Sequence, residues 1–236
     1  MLLFLCIWQL FALGIESRTL PAPSAVASTL WQEIQTGDLL FHLGMTLRRV
    51  AISFTAAMLI GIALGLLMGR YKSWDCLLDN FLILGLNIPA LVTIILCYIW
   101  FGLSETAAVI AVTVNKIPVV AVSLREGARA VDQNLLQVAK VYRLPRRDIF
   151  FKVYLPQLTP YLIGSARNGL ALIWKIVLVV ELLGRSNGVG FQIGNLFHFF
   201  DITGILAYTL SFTLVIFSIE AVFLRPLEAH LNRWRA

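Results

Sequence analysis

Four ionisable side chains lie within long apolar stretches of the sequence: Lys116, Arg167, Lys175 and Glu181. A charge inside a bilayer is costly when it has no partner, so such a residue usually faces a cavity, a ligand or another charge. Lys116 and Lys175 fall near the middle of their stretches. We therefore predict a polar translocation path that attracts an anionic or polar solute. Its predicted residues are Lys116, Lys175 and Glu181.

Each of these charges also has a structural explanation. A backbone carbonyl or Glu181 would serve equally well as the partner of Lys116 or Lys175. Arg167 is expected to extend its side chain to the headgroups on the cytosolic side, and Glu181 to reach the opposite surface. Pro118, two residues after Lys116, favours the polar path because a proline leaves a helical carbonyl without its donor.

Residues for catalysis, metal binding or disulfide formation are not grouped in the sequence. Three histidines are scattered along it: His42, His198 and His230. Three cysteines are equally far apart: Cys6, Cys76 and Cys97. No HExxH motif or paired carboxylates occur, and the glycine-rich loop 184–190 lacks the GxxxxGKS or GxxxxGKT order of a nucleotide-binding loop. We predict that the chain is not an enzyme and holds no metal or cofactor itself.

The composition places these residues in a membrane protein. Of 236 residues, 59% are hydrophobic and 14% are charged, and the mean hydropathy is +0.83. These values exclude an ordinary soluble domain and a disordered chain. At about 20 apolar residues per span, the length leaves room for roughly five to seven spans and no separate soluble domain.

The apolar runs predict an all-α membrane protein with about six transmembrane helices. Five runs are long enough to cross on their own: 45–69, 81–101, 107–124, 161–183 and 204–224. The run 1–15 is short and is interpreted as a truncated first helix. The alternative is a signal peptide with Ala25-Val26-Ala27 as its cleavage site. We assign 1–36 to the first segment and its connection, and 37–236 to a core domain.

Basic residues set the orientation in the membrane. With the N-terminus inside, the loops 70–80, 125–160 and 225–236 face the cytosol and hold twelve Lys and Arg residues, against four in the opposite loops. This asymmetry agrees with the positive-inside rule. Arg48 and Arg49 are the discordant pair, since they fall on the outer side.

Small residues recur every four positions in the run 45–69: Ala57, Gly61, Gly65 and Gly69. This spacing stacks them on one helical face and permits the close approach of a neighbouring helix. We interpret this face as a packing seam. A surface that slides during a conformational change is the alternative.

A polar, basic segment over 133–160 separates two of the apolar runs. Its charges and helix ends need water or a partner, which predicts a structured cytosolic loop. Asp132 is expected to cap a first amphipathic helix that runs to about Tyr142. Pro145 suits the first turn of a second short helix, which is expected to stop at Leu155-Pro156 because proline does not continue a helix.

The spacing in this segment resembles the cytosolic signature of the integral membrane permeases of binding-protein-dependent ABC importers. That signature reads Glu-Ala-Ala, three residues, Gly, nine residues, Ile, one residue and Leu-Pro. The matching positions are Gln137-Val138-Ala139, Arg143, Val153 and Leu155-Pro156, followed by Pro160. Arg143 stands where the family has a glycine that turns the chain between the two helices.

The resemblance covers roughly residues 37–236 and is nearest to the nitrate, sulfonate and taurine branch. Three further stretches carry it: WFGLSE at 100–105, ELLG at 181–184 and GVGF at 188–191. It implies the fold of a type I ABC importer permease in the bacterial cytoplasmic (inner) membrane, crossing it several times. It also implies the import of a small polar, anionic solute such as nitrate, a sulfonate, taurine or bicarbonate.

The same resemblance implies partner proteins. ABC ATPase subunits, which bind ATP and Mg²⁺, would grip the second short helix as a coupling helix. The residues implied in this contact are Gln137, Ala139, Arg143, Leu144, Pro145, Arg146, Arg147 and Phe150. On the opposite side, Arg185 and Asn187 would contact a periplasmic solute-binding protein, with a plain turn as the alternative. A second permease copy, forming a homodimer, completes the implied complex.

Other classes of protein fit the sequence less well. An ion-coupled secondary transporter would use Lys175 and Glu181 as a relay, but inverted repeats or interrupted helices in matching halves are not visible. A basic amphipathic helix at the headgroups would explain the charge of 133–160 but not its signature spacing. A membrane-embedded enzyme would need paired acids, metal ligands or a nucleophile with a base.

Overall fold

All regular structure in the described part of the chain is helical. The computed structural model describes residues 7–9, 11–12, 20–35, 37–224 and 226. In chain order the helices are α1 (Pro23–Gln35), α2 (Leu39–Arg70), α3 (Lys72–Asn87), α4 (Ala90–Phe101), α5 (Glu105–Arg129), α6 (Gln133–Val141), α7 (Arg146–Asp148), α8 (Leu155–Gly184), α9 (Val189–His198) and α10 (Ile202–Ile219). Two π-helical segments, Ile149–Tyr154 and Glu220–Leu224, precede α8 and follow α10. The all-α prediction is confirmed.

Three helices of the described chain are long and apolar enough to cross a membrane: Leu39–Arg70, Glu105–Arg129 and Ile202–Val222. α3 and α4 together make a fourth candidate, although they are bent by 100° at the break between them. The prediction of six spans is therefore not confirmed. Most of the run 1–15 lies outside the described residues.

The run 81–101, predicted as one span, is divided between two helices. α3 ends at Asn87, Ile88 is extended with φ −70° and ψ 123°, and α4 begins after Pro89. Proline disfavours the helical conformation of the residue before it and has no N–H to donate, so a regular helix ends here. The run is therefore not one continuous helix, because Pro89 interrupts it, and it stays a candidate span only as the bent pair of α3 and α4.

The small-residue seam of α2 packs directly against α5. A methyl group at Gly61 would lie 2.6 Å from Val120 Cβ, and one at Gly69 would lie 2.5 Å from Ala128 Cβ. Ala57, on the same face, is fully buried. The glycines therefore allow the two helices to approach more closely than any larger residue would, which confirms the packing seam.

Adding one methyl group to this seam is expected to destabilise the protein. In Gly65→Ala the new Cβ would lie 2.5 Å from the Ala121 carbonyl oxygen, so the helices must separate, at a cost of about 1–3 kcal/mol. Gly164→Ala in α8 is the matched control, since nothing lies within 4 Å of its added Cβ. Thermal unfolding in detergent should show a lower midpoint for Gly65→Ala alone. Equal midpoints would contradict the close packing.

Among the three candidate spans, α5 is the most enclosed. Of its most apolar window 56% is buried, against 28% for α2 and for the segment Ile202–Val222. Ala108 and Ala111 of α5 share one core with Val50 of α2 and Ile173 of α8. α5 therefore carries its polar side chains into the centre of the helix bundle.

The segment predicted to be cytosolic forms a helical hairpin whose second arm continues into α8. Asp132 caps α6 as predicted, because its carboxylate accepts a hydrogen bond from Asn134 N at 2.7 Å. The chain turns at Arg143, which has a φ of +53°. The predicted stop at Leu155-Pro156 is wrong, since α8 begins there. Pro156 is accepted because it lies in the first turn of α8, after the π-helical segment.

Candidate functional sites

A buried arginine joins two carboxylates at the end of the helix bundle away from the hairpin. Arg49 Nη1 donates a hydrogen bond to Glu181 Oε1 at 2.6 Å. Its Nη2 and Nε donate to Oε1 and Oε2 of Glu105, at 2.5 and 2.9 Å. Arg49 is 2% exposed and Glu181 is fully buried. We call this group, with Asn187, the Arg49 cluster.

The second oxygen of Glu181 is also fully engaged. Glu181 Oε2 accepts hydrogen bonds from Thr46 Oγ1 and from Gly190 N, each at 2.9 Å. A side chain at Gly190 would collide with the Leu178 carbonyl oxygen and with Glu181 Cβ. The glycine therefore lets the backbone come close enough to donate to a buried carboxylate, as buried charges require.

The glycine-rich loop is fastened to α2 by the same cluster. Arg49 donates to the Asn187 carbonyl oxygen at 2.8 Å and also to Asn187 Oδ1. Gly188 N donates to His42 Nδ1 and Val189 N donates to Thr46 Oγ1, each at 2.9 Å. Gly188 has a φ of +114°, a conformation that L side chains rarely adopt. The loop is therefore held in one shape by α2.

Sequence reasoning missed the Arg49 cluster as a unit. Arg49 appeared only as a residue discordant with the positive-inside rule, and the structure explains this because its charge is balanced by Glu105 and Glu181. The sequence nevertheless contained an indication of the cluster, in the stretches that carry the family resemblance. The three stretches WFGLSE, ELLG and GVGF each place residues in or beside the cluster, so apparently separate motifs meet at one site.

The two predicted binding-protein contacts lie in or beside this cluster. Arg185 donates to the Leu103 carbonyl oxygen at 2.6 Å and to Glu105 Oε1 at 3.0 Å. Asn187 is bound by Arg49, as described above. Both residues therefore point back into the protein, and Ser186 between them is the exposed residue. Their predicted contact with a binding protein stays a prediction.

The structure places the three predicted path residues in different surroundings. Lys116 is buried in α5, 1% exposed, and its ammonium has no hydrogen-bond partner among the described residues. Lys175 is exposed on α8. Glu181 belongs to the Arg49 cluster, so it neither pairs with a lysine nor reaches the surface. Arg167 forms an ion pair with Glu220 at 2.8 Å.

The hairpin presents apolar and basic side chains outward. Of the residues predicted to contact an ATPase, these are exposed: Gln137, Arg143, Leu144, Pro145, Arg146, Arg147 and Phe150. Ala139 is the exception, because it is 4% exposed and its carbonyl oxygen accepts a hydrogen bond from Leu144 N at 3.1 Å. Ala139 therefore stabilises the turn at Arg143 through its backbone, and its side chain is not on the exposed surface of the hairpin.

The base of the hairpin is anchored to the bundle. Asp132 N donates to Gln157 Oε1 at 2.8 Å, which ties the start of α6 to α8. Ala128, Val131 and Leu158 form a buried apolar cluster beneath it. A force applied at the exposed tip would therefore reach α5 and α8 directly.

Ion pairs at the hairpin end of the bundle fix α3 to the end of α5. Arg125 Nη1 lies 2.5 Å from Asp79 Oδ1 and 3.3 Å from Asp75 Oδ1, and Arg129 also pairs with Asp75.

In the described ranges, no group of three or more His, Cys, Asp or Glu side chains is arranged to hold a metal ion.

Comparison with known proteins gives consistent matches. The family described as binding-protein-dependent transport system inner membrane component matches residues 57–229. The aliphatic sulfonates transport permease protein SsuC of Bacillus subtilis (strain 168) is 30% identical over 98% of this chain and 84% of its own length. The taurine transport system permease protein TauC of Escherichia coli (strain K12) is 28% identical, over 88% of this chain and 72% of its own.

Two further comparisons extend these matches. The nitrate import permease protein NrtB of Synechocystis sp. (strain ATCC 27184 / PCC 6803 / Kazusa) is 29% identical over 82% of this chain and 74% of its own length. A chain of the MetNI methionine ABC transporter, solved in inward-facing conformations, has a TM-score of 0.70 at 18% identity. That match covers 85% of this chain and 99% of the solved chain, and it bears on the fold alone.

Proposed function

Because this chain belongs to the family of binding-protein-dependent transport system inner membrane components, and is thus a transmembrane permease subunit of an ABC importer, we propose that it carries a small polar anion. Relatives named for sulfonates, taurine and nitrate support a solute of that class. Bicarbonate has similar chemistry and belongs to the same proposal. The proposed location is the bacterial cytoplasmic (inner) membrane.

The exposed hairpin is the observation that supports an ATP-driven mechanism, because it offers a surface to an ATPase partner. It offers Leu144, Pro145 and Phe150 to the cytosol beside Arg146 and Arg147, a mixture of apolar and basic groups that suits a protein groove better than water. ABC ATPase subunits are the proposed occupants. They would bind ATP and Mg²⁺, while this chain contributes no cofactor.

A second copy of this chain and a periplasmic solute-binding protein complete the proposed complex. ATP binding would close the ATPase subunits and draw the two hairpins together. The paired bundles would then alternate between outward and inward openings around a central passage. The binding protein would deliver the solute to the side that carries the Arg49 cluster, where exposed Ser186 is flanked by Arg185 and Asn187.

Lys116 and Lys175 are the proposed cations of the translocation path. Lys175 is exposed on α8, where a second copy or the passage would cover it. Glu181 is proposed to act at the outer end of the path through Arg49, which neutralises its carboxylate. An anion passing this region would therefore be attracted by the lysines and would not be repelled by the carboxylate of Glu181.

Affinity purification in mild detergent tests the proposed complex. An ATP-hydrolysing subunit is expected to accompany the chain in stoichiometric amount, and the purified complex in liposomes is expected to import taurine, nitrate or methanesulfonate only with ATP and the binding protein. Uptake should persist when the proton gradient is collapsed. A lone chain whose uptake stops on loss of the gradient would instead indicate an ion-coupled secondary transporter.

A further inference from the structure

The glycine-rich loop enters α9 with three successive backbone N–H groups, at positions 188–190, that each donate to a side chain at 2.9 Å. N–H groups at the start of a helix have no carbonyl partner within that helix, so another group must accept their hydrogen bonds. The three acceptors, in chain order of the donors, are His42 Nδ1, Thr46 Oγ1 and Glu181 Oε2. The position of the loop therefore depends on these three side chains.

His42 differs from the other two acceptors because its protonation changes near neutral pH. The hydroxyl of Thr46 does not titrate in this range, and Glu181 is a carboxylate already paired with Arg49 at 2.6 Å. A histidine in water is half-protonated at about pH 6.5. One of the three hydrogen bonds that hold the loop is therefore open to control by pH.

The geometry fixes which ring nitrogen of His42 carries the hydrogen. A backbone N–H can only donate, so Nδ1 has no proton while Gly188 is bound to it. The hydrogen of the neutral ring then lies on Nε2, and the side-chain amide of Gln192, 3.0 Å from that atom, can accept it through its oxygen. A second proton on the ring would place two donors face to face, so Gly188 would have to move away.

The charged and titratable neighbours of His42 come from three helices and the residue before α2. Glu33 of α1 and Asp38, which precedes α2, attract a positive ring, whereas Arg49 of α2 repels it. Tyr208 of α10 lies with its ring 6.5 Å from the imidazole, and its hydroxyl donates to Glu33 Oε2 at 3.0 Å. α9 contributes neutral neighbours, which are Phe191 and Gln192. A positive ring that has left Gly188 would therefore have two carboxylates nearby.

We propose that His42 is a positioning residue that holds the glycine-rich loop when its ring is neutral and releases the loop when the ring is protonated. The bound loop requires one proton fewer than the released loop, so the bound form is favoured above about pH 6.5 and is lost as the pH falls below that value. This inference rests on the proposed function, in which the binding protein delivers the solute to this end of the bundle. It adds a control of import by the pH on that side.

The pH profile of import tests the role of His42. Liposomes that contain the complex and internal ATP receive binding protein with taurine, nitrate or methanesulfonate in buffers between about pH 7.5 and about pH 5, and uptake is normalised to its value at the higher pH. His42→Asn keeps an acceptor oxygen near the position of Nδ1 but cannot take up a proton. The native complex is expected to lose at least about fivefold more of its import on acidification than His42→Asn does.

His198→Asn is the matched control for this profile. His198 is an exposed histidine at the end of α9, so its replacement removes the same kind of titrating group without touching the loop contacts, and the native profile is expected. A His42 that served only as a packing residue would change the amount of import in His42→Asn but not the shape of the profile. Coincident normalised profiles for the native chain and His42→Asn would overturn the inference.

Hydrogen exchange of the backbone amides over 184–190, followed by mass spectrometry, gives a readout that does not depend on transport. Native and His42→Asn complexes are compared at the same pH, so the intrinsic effect of pH on exchange cancels. The ratio of the native rate to the variant rate is expected to rise at least about threefold between about pH 7.5 and about pH 5. If His42→Asn does not assemble, the protection of 184–190 in the native chain should fall on acidification while that of 105–129 is kept.

These measurements separate the role of His42 from the function on which it rests. If the native complex shows no ATP-dependent uptake at about pH 7.5, the proposed function fails, and an exchange ratio that rises on acidification would still support the control of the loop by His42. If uptake depends on ATP but the profiles coincide and the exchange ratio stays constant, the permease assignment stands and only the role of His42 is wrong.

Discussion

Replacing Glu181 by alanine is expected to lower the free energy of unfolding by about 3–5 kcal/mol, the cost of leaving a buried charge without its partner. Arg49 would keep Glu105 but lose the fully buried half of its pairing. Gly190 N and Thr46 Oγ1 would also lose their common acceptor. The effect is large because one carboxylate accepts hydrogen bonds from two side chains of α2 and from the backbone of the glycine-rich loop.

Unfolding in mixed dodecyl maltoside and SDS micelles, followed by circular dichroism, measures this change. Glu126→Ala is the matched control, since Glu126 makes an ion pair but its side chain is 52% exposed, and its loss is expected to cost less than about 1 kcal/mol. The double variant Arg49→Met/Glu181→Leu should recover part of the loss, because no unpaired charge remains between them. Similar losses for Glu126→Ala and Glu181→Ala would contradict the role of the cluster.

The second large effect is expected at the tip of the hairpin. Replacing residues 143–147 by a flexible glycine-serine sequence should abolish ATP-dependent import, because the proposed contact with the ATPase would lose both its apolar and its basic groups. The bundle itself should remain folded, since the hairpin is anchored below the tip by Gln157 and Leu158. Import into liposomes and copurification of the ATPase subunit are the two measurements.

Lys140→Gln provides a control on the same hairpin. Lys140 is exposed on α6 but lies outside the replaced segment, so its loss removes a charge without changing the turn. Import close to that of the native chain is expected for this variant. If the glycine-serine variant still imported its solute and retained the ATPase, the hairpin would not be the coupling element.

The local features were predictable from the sequence because they depend on neighbouring residues. The cap at Asp132 follows from residues within one turn, and the seam through Gly61 and Gly65 follows from their period of four. The effect of Pro89 on the helix was overlooked, whereas the effect of Pro156 was overestimated. An apolar count cannot show that Pro89 bends the chain, and a general rule against proline overlooks its tolerance in the first turn of α8.

The Arg49 cluster was not predictable in the same way. Arg49 and Glu181 are 132 positions apart, and no periodicity in a single sequence indicates which distant charges will meet. Lys116 was recognised as an unusual charge from its apolar surroundings, but its burial beside Gly169 of α8 depends on how the helices pack. Those packing relationships appear only in three dimensions.

The uninterrupted course of the chain from Arg146 to Gly184 makes the hairpin tip and α8 one mechanical part. Tyr154 and Leu155 keep right-handed helical torsion angles across the junction, so no hinge separates them, and the 30 residues of α8 span about 45 Å. A displacement of the hairpin tip would therefore be carried along α8 to Glu181, whose hydrogen bonds hold α2 and the glycine-rich loop at the other end of the bundle.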